Sequence, residues 1–146
     1  MSYEQLKLKN QLCFPVYAAS RLITREYQPY LAELGITYPQ YLVLLLLWEN
    51  QPLAVNYIAD KLILNTNTIT PLLKRMETDG IVKRIRSEQD ERKVFISLTE
   101  YGELLKKKAA KIPEELAAKL MQDSFTTNEL TALKEQLEKL INLLNH

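Results

Sequence analysis

The sequence predicts a mainly α, α+β fold with the element order α-α-α-α-β-β-α-α. Three observations predict it. Apolar residues recur at helical spacing through most of the 146 residues. The apolar period shortens to two only in "IVKRIR" (81–86) and "KVFISLT" (93–99), the alternation of half-buried strands. Between these runs stand Gly, Pro, Thr and Asn, the residues that stop and cap helices. The length suits one domain able to bury a core, and 47% hydrophobic with 25% charged residues is ordinary for a soluble protein.

Taken in order, residues 4–34 place Leu6, Leu12, Cys13, Val16, Tyr17, Ile23, Tyr27 and Leu31 at helical spacing. One or two helices are expected there, broken near Pro15 or Pro29, because an interior proline removes a backbone donor and crowds the preceding turn. Gly35-Ile-Thr37 supplies a stop and a Thr N-cap for Tyr38–Glu49, which is apolar nearly all round and therefore buried. "NQP" (50–52) breaks that helix, and "VNYIADKL" (55–62) restores the period. A polar corner at Asn65-Thr66-Asn67 leads into "TNTITPLLKRMETDG", capped by Thr66, turned inward through Ile69, Leu72, Leu73 and Met76, and stopped by Asp79-Gly80. The two strands follow, joined by "SEQDER". Thr99 caps a helix from about 100 to 121, interrupted at Pro113. Thr126 and Glu129 fit a capping box before a last helix striped with Leu130, Leu133, Leu137, Leu140, Ile141 and Leu144.

Several chemistries fall away. The only His is His146, and no His/Cys cluster has metal-ligand spacing, so hydrolase and metal readings are poor and no metal is expected. The glycines Gly35, Gly80 and Gly102 are scattered singly and match no phosphate loop, so no cofactor is expected. The longest apolar run, "YLVLLLLW" (41–48), is far below the roughly 20 residues of a bilayer span, so no membrane is expected. A lone cysteine and a start ("MSYEQLKLKNQL") unlike a signal peptide point to a reducing cytoplasm.

A helix-turn-helix followed directly by a hairpin is the winged-helix arrangement, in which the second helix enters the major groove of DNA and the hairpin reaches the adjacent backbone or minor groove. Net charge is only +1, but Lys74, Arg75, Lys83, Arg84, Arg86, Arg92 and Lys93 lie on the candidate recognition helix and wing, a local surplus of two over Glu77, Asp79, Glu88, Asp90 and Glu91. Basic residues there would meet phosphates. On charge alone, a solvated hairpin with compensating ions is an equal reading. Thr66, Thr68 and Thr70, near the start of the helix, are candidates for base or phosphate contact.

The run "ITYPQYLVLLLLWE", the helix "TPLLKRME" and the wing "RIRSEQDERKVFISLTEYG" resemble the MarR family of bacterial transcription regulators, whose wing carries Asp-x-Arg, here Asp90-Glu91-Arg92. "QLCFPVYAASR" together with "ITYPQY" is similar to the organic-hydroperoxide-responsive repressors of that family, whose sensor is a cysteine in the first helix. The resemblance implies one MarR-like domain over 1–146, with a winged helix-turn-helix at 37–99 and dimerisation helices at 1–36 and 100–146 that interleave in a homodimer. It implies that Arg92 enters the minor groove, held by Asp90, on an inverted-repeat duplex. The match departs at Asn65-Thr66-Asn67, where these repressors usually carry Asp, Ser or Thr, then Gly.

By residue type alone, Cys13 in "QLCFPVY" is a small core residue, and Tyr17, Tyr27 and Tyr38 are amphipathic aromatics of a dimer core. With the resemblance, Cys13 becomes a redox sensor, Tyr17 a phenol one turn away, and Tyr27 and Tyr38 phenols that reach Cys13 from the partner subunit. Pro15 either loosens the turn holding Cys13 or merely bends the helix. A sulfenic acid condenses with a thiol or a backbone nitrogen, and with no second cysteine the expected outcomes are a mixed disulfide with a small-molecule thiol or over-oxidation of Cys13 to a sulfinic or sulfonic acid. Competing functions are a MarR-type regulator of phenolic or drug-like ligands, a thiol-based global regulator, a thiol peroxidase (which would need a base or Arg nearer than Arg21), and a helical interaction protein, which would leave the wing cations without a purpose.

Overall fold

The computed structural model describes residues 2–122 and 124–146, and the chain divides into two compact units between Ala110 and Lys111. The first unit begins with two short 3-10 turns, Glu4–Leu6 and Leu8–Asn10, and then a single helix α1, Cys13–Leu34. Neither proline breaks α1, contrary to the expectation from sequence. Pro15 is the third residue of the helix, where the backbone N–H has no intrahelical partner in any case, so it neither loosens nor bends the turn through a lost bond. Pro29 lies inside, and α1 continues through it to a left-handed Gly35 (φ 71°), with Ile36 N–H donating to Leu31 O at 3.1 Å.

Helix α2, Tyr38–Glu49, opens on a full capping box: Gln40 N–H donates to Thr37 Oγ1, and Thr37 N–H donates to Gln40 Oε1 at 3.0 Å. Tyr41, Val43, Leu44 and Leu47 are buried, as an all-round apolar helix requires. Strand β1 (Leu53–Ala54), preceded by a cis Gln51–Pro52 peptide, leads into α3, Val55–Leu62.

Helix α4 runs Thr66–Thr78 with Pro71 inside, but its cap is Asn65, not Thr66. Asn65 is extended (φ −79°, ψ 161°) and its Oδ1 accepts from Thr68 N–H at 3.0 Å, which starts the helix one residue before the expected place. The corner itself is Ile63-Leu64-Asn65, made by Ile63 in the left-handed region (φ 55°), with Leu64 N–H returning to Ala59 O at 2.9 Å. A β-branched residue seldom adopts that backbone, so sequence pattern placed the corner too late.

Strands β2 (Val82–Arg86) and β3 (Val94–Leu98) form the expected hairpin, and β1, which sequence reading missed, adds a third strand in the antiparallel order β1-β3-β2. Arg84 and Leu53 both stand opposite Ile96. Two residues alternate too little to announce a strand. Helix α5, Glu100–Ala109, is capped by Thr99, whose Oγ1 accepts from Gly102 N–H at 3.1 Å. Ile58, Ile69, Leu73, Met76, Ile96 and Leu105 make up the core of this unit, each at most 2% exposed.

The second unit contains α6, Ile112–Met121, with Pro113 in its first turn, and α7, Thr127–Leu144, opened by the Thr126/Glu129 capping box. No residue of α7 is buried, and Leu133, Leu137 and Ile141 of its stripe are 37–47% exposed. In the first unit, Leu12, Phe14, Val16, Tyr17, Leu22 and Ile23 of the N-terminal stretch are likewise uncovered. Apolar stripes of this length are more than the singly scattered surface hydrophobics of an isolated helix.

Candidate redox site and nucleic-acid interface

Cys13 is the first residue of α1, and its thiol is exposed. Its N-cap, Leu12, offers no side-chain acceptor to the first turn, and Pro15 brings no N–H there. Tyr17 lies one turn on, the i+4 spacing that puts two side chains on one face. The Arg21 guanidinium lies over the Tyr17 ring at 5.3 Å from its centroid, a cation–π contact.

Tyr27 and Tyr38 do meet, across α1 and α2, with ring centroids 5.1 Å apart. A third phenol that sequence reading left out, Tyr41, completes the cluster at 5.6 Å from Tyr27 and 6.1 Å from Tyr38. Tyr41 in turn meets the edge of Trp48 at 6.4 Å. Burial, with smaller contributions from Tyr38 and Tyr41, pushes the Tyr27 hydroxyl up to about 12. Burial also raises Tyr38, and burial with the neighbouring Tyr38 raises Tyr41. All three therefore stay protonated at neutral pH and present O–H donors.

The cluster is far from its own cysteine. Fourteen residues of α1 separate Cys13 from Tyr27, roughly 21 Å along the axis at about 1.5 Å per residue. A phenol reaches about 6.5 Å from its Cα, so the span within one chain is too long for a hydrogen bond. The structure thus gathers Tyr27 and Tyr38, with Tyr41, and keeps Cys13 with Tyr17 at the other end of the helix.

The DNA-facing candidates divide by environment. Thr66, Thr70, Arg84, Arg92 and Lys93 line an open cleft of about 630 Å³ between α4 and the wing, together with Asn56 at the start of α3. The Thr68 hydroxyl donates to Asn65 Oδ1 at 3.3 Å and so serves the cap. Lys74 and Arg75 are exposed on the later turns of α4. At the wing tip, Asp90 Oδ1 accepts from both Arg92 N–H (3.0 Å) and Arg92 Nε–H (3.2 Å), aiming a guanidinium whose side chain is 92% exposed. Ser87 Oγ accepts from the N–H groups of Gln89 and Asp90, and Arg86 Nη1 donates to Glu91 O at 3.2 Å, so Arg86 also shapes the tip.

Arg84 is different. Its side chain leans toward α4, 3.9 Å from Glu77 Oε1, and its Nε is buried without a hydrogen-bond partner. The Arg84 side chain also lines the cleft beside Arg92 and Lys93, which makes that face of the cleft basic. Among the described residues, no group of three His, Cys, Asp or Glu side chains is placed to hold a metal ion. No single described helix is long and apolar enough to cross a membrane.

Comparison with known proteins places this geometry. Residues 25–112 match the family described as transcriptional regulator SarA/Rot. The organic hydroperoxide resistance transcriptional regulator of Bacillus subtilis (strain 168) is 49% identical over 98% of this chain and 95% of its own length. Among solved structures, reduced AbfR bound to DNA covers 99% of both chains at 39% identity with a TM-score of 0.74. Overoxidized AbfR bound to DNA covers 99% of both at 41% identity and 0.75. With the α3–α4 helix-turn-helix and the Asp90–Arg92 wing inside the family match, and both units spanned by the relative and the solved structure, the chain belongs to the MarR-type winged-helix transcriptional regulators, in the group that holds SarA/Rot and the organic hydroperoxide resistance regulator.

Proposed function

We propose that this chain is a dimeric repressor of transcription that senses organic hydroperoxides through Cys13 and leaves its operator when that thiol is oxidised. The observation that carries the reading is the separation within α1: an exposed thiol at one end and a cluster of protonated phenols roughly 21 Å away at the other. Two antiparallel copies of α1 bring each thiol to the other copy's cluster. The uncovered apolar stripes of 12–23 and of α7 are the surface such a pairing would cover. Residues 1–36 and 100–146 then serve dimerisation, and 37–99 reads DNA.

In the reduced dimer two copies of α4 face successive major grooves of an inverted repeat, about 34 Å apart. Thr66, Thr70, Lys74, Arg75, Arg84 and Lys93 meet bases and phosphates, and Arg92, aimed by Asp90, enters the minor groove. On oxidation the Cys13 thiolate attacks the distal oxygen of the hydroperoxide. An S–O bond forms, the O–O bond breaks, sulfur loses two electrons, and the alkoxide leaves as the alcohol after taking a proton. The phenols of Tyr27 and Tyr38 from the partner chain, with Tyr17 beside the thiol, donate to thiolate and departing oxygen.

Cys13 is the only cysteine, so the sulfenic acid next meets an external thiol of the cytoplasm. An S–S bond forms, the sulfenic oxygen leaves as water, and the resulting mixed disulfide wedges the helices apart. A relative seen overoxidized and still on DNA favours the mixed disulfide over the sulfinic or sulfonic acid as the releasing product.

The test is a duplex-shift titration of the parent and Cys13→Ser with an organic hydroperoxide and a small thiol, read beside intact mass. The parent should release duplex as the mass of the thiol adduct appears, and Cys13→Ser should bind normally and ignore the oxidant. Release of the parent with Cys13 unmodified refutes the reading.

A further inference from the structure

The two ends of α2 do different things. Its first turns carry Tyr38 and Tyr41, two of the three phenols. Its last turn is tied to the base of the wing. Trp48 Nε1 donates to Gly102 O in the first turn of α5 at 3.0 Å, and Lys106 Nζ donates back to Trp48 O at 3.2 Å. Just beyond, Gln51 Oε1 accepts from Leu98 N–H at the end of β3 at 2.7 Å, while its Nε2 donates to Glu103 Oε1 at 2.6 Å. Between these ends Tyr41 touches Trp48.

Gly102 is pressed against the other root of the wing. A Cβ built on it would stand 2.4 Å from Ile81 O, the carbonyl just before β2. Thr99, three residues earlier, donates its hydroxyl to Gly80 O and Ile81 O, and its N–H to Ile81 O at 3.1 Å. Any shift of the first turn of α5 must therefore move Ile81 and Leu98 together, the first and last supports of the hairpin that carries Arg92.

We infer that Trp48 is a positioning residue of the redox response: through its bond to Gly102 it passes a displacement of the phenols at the start of α2 to both roots of the wing. A helix of this length is stiff, about 15 Å from Tyr38 to Trp48, and moves as a rod. The joint at its far end is built from four polar bonds, two of them at the surface, and exchange of these with water supplies the second arrangement that this inference requires. Coupling needs such an element with two states that both sites bias. The inference rests on the redox reading above, because the displacement begins with Cys13 of the partner chain.

Trp48 is the only tryptophan, so its emission reports this joint alone. The experiment follows three quantities in the parent and in Trp48→Phe: operator affinity before and after organic hydroperoxide with a small thiol, the mass of Cys13, and, in the parent, tryptophan emission. Phe keeps an aromatic edge for Tyr41 and loses the N–H donor together with the second ring of the indole. Trp48→Phe should bind operator like the parent when reduced and modify Cys13 at the parental rate. Its loss of affinity on oxidation should be smaller by about threefold to tenfold, the worth of one partly buried hydrogen bond. In the parent, the emission should shift in step with the Cys13 adduct.

Equal loss of affinity in both proteins overturns the inference, as does unchanged emission in a parent that has released its operator. Should Trp48→Phe fold poorly, the parental emission decides alone. A parent that stays on duplex with Cys13 modified instead refutes the redox reading itself, and this inference falls with it.

Discussion

Replacing Gly102 by Ala perturbs the most crowded contact between α5 and the wing, and the sign of the effect can be worked out. On an unconstrained helix the change would stabilise by about 1 kcal/mol, because Ala restricts the unfolded chain more and favours helix. Here the new Cβ would lie 2.4 Å from Ile81 O and 3.0 Å from Leu98 Cδ2, and ordinary contact begins near 3.4 Å, so one side must yield by about 1 Å. The Leu98 methyl can turn away. The Ile81 carbonyl cannot easily do so, since it accepts both the N–H and the hydroxyl of Thr99. Overpacking of this kind costs about 1–3 kcal/mol and weakens that pair of bonds, which outweighs the propensity gain and leaves a net loss of about 1–2 kcal/mol. For a chain of 146 residues that is a fall in Tm of roughly 3–7 °C.

Urea unfolding followed by Trp48 emission and by circular dichroism should show an earlier midpoint with an unchanged slope. The control is Gly80→Ala. Gly80 has φ 77° and nothing within 4 Å of its Cβ position, so its cost of about 1–2 kcal/mol is backbone strain without a clash. Gly102→Ala should also weaken operator binding in the reduced state, because Ile81 and Leu98 anchor the hairpin, whereas Gly80→Ala should do so less. A Gly102→Ala protein as stable as the parent would show that the approach to Ile81 is relaxed at no cost and would refute the reasoning.

Three further outcomes are expected. Arg92→Ala should weaken binding to every duplex by about tenfold or more and lower the salt slope, with the melting curve unchanged because the side chain is 92% exposed; equal affinity at moderate salt would remove Arg92 from the interface. Asn65→Ala removes the acceptor for Thr68 N–H and should cost about 1 kcal/mol by urea titration, where Thr66→Ala should cost less, since Thr66 is not the cap. Tyr27, Tyr38 and Tyr41 hold their protons more firmly when folded than the unfolded chain does, so stability should be intact below about pH 10 and fall as pH rises from there toward 12; Tyr27→Phe should flatten that fall, and a melting temperature indifferent to pH in this window would contradict the buried cluster.

Where apolar periodicity and capping chemistry act within one segment, the sequence was sufficient. Thr37, Thr99 and Thr126 cap the helices expected of them, and α2, α3, α7 and both strands of the hairpin lie within a residue or two of their expected bounds. The departures come where a tertiary contact decides. A break was expected near Pro15 or Pro29, yet the helix persists through both to Leu31 and Leu34, which are 0% and 6% exposed. Asn65 outcompetes Thr66 as the cap because Ile63 accepts a left-handed backbone that its residue type disfavours, and the chain turns one residue sooner. Strand β1 exists only because β3 lies beside it, so nothing inside two residues could have announced it.

The candidate sites follow the same logic, and the reason is chemical. The Asp90–Arg92 hold lies within three residues, so a short motif contains all of its geometry, and the structure shows both of its hydrogen bonds. Tyr38, Tyr41 and Trp48 share one helix, but what makes them a unit is the arrival of Tyr27 from α1 at one end and of Gly102 from α5 at the other. Residue type suggested only that each aromatic was amphipathic, and Tyr41 was passed over because a buried aromatic in an apolar run looks like packing alone. Arg84 makes the complementary point: in sequence it is one of several wing cations, whereas its mostly covered side chain, paired with Glu77 and with Nε unbonded, sets it apart from Arg86, which spends a donor on Glu91 O. The pair with Glu77 spans 3.9 Å and leaves the Arg84 Nε without an acceptor, beside the threonine hydroxyls that line the same cleft. Cys13 likewise stands apart from its distant phenols. On the proposed reading, the group that completes each site belongs to another molecule, the operator for Arg84 and a second copy of the chain for Cys13, which is how DNA binding and its loss on oxidation would be built into one small fold.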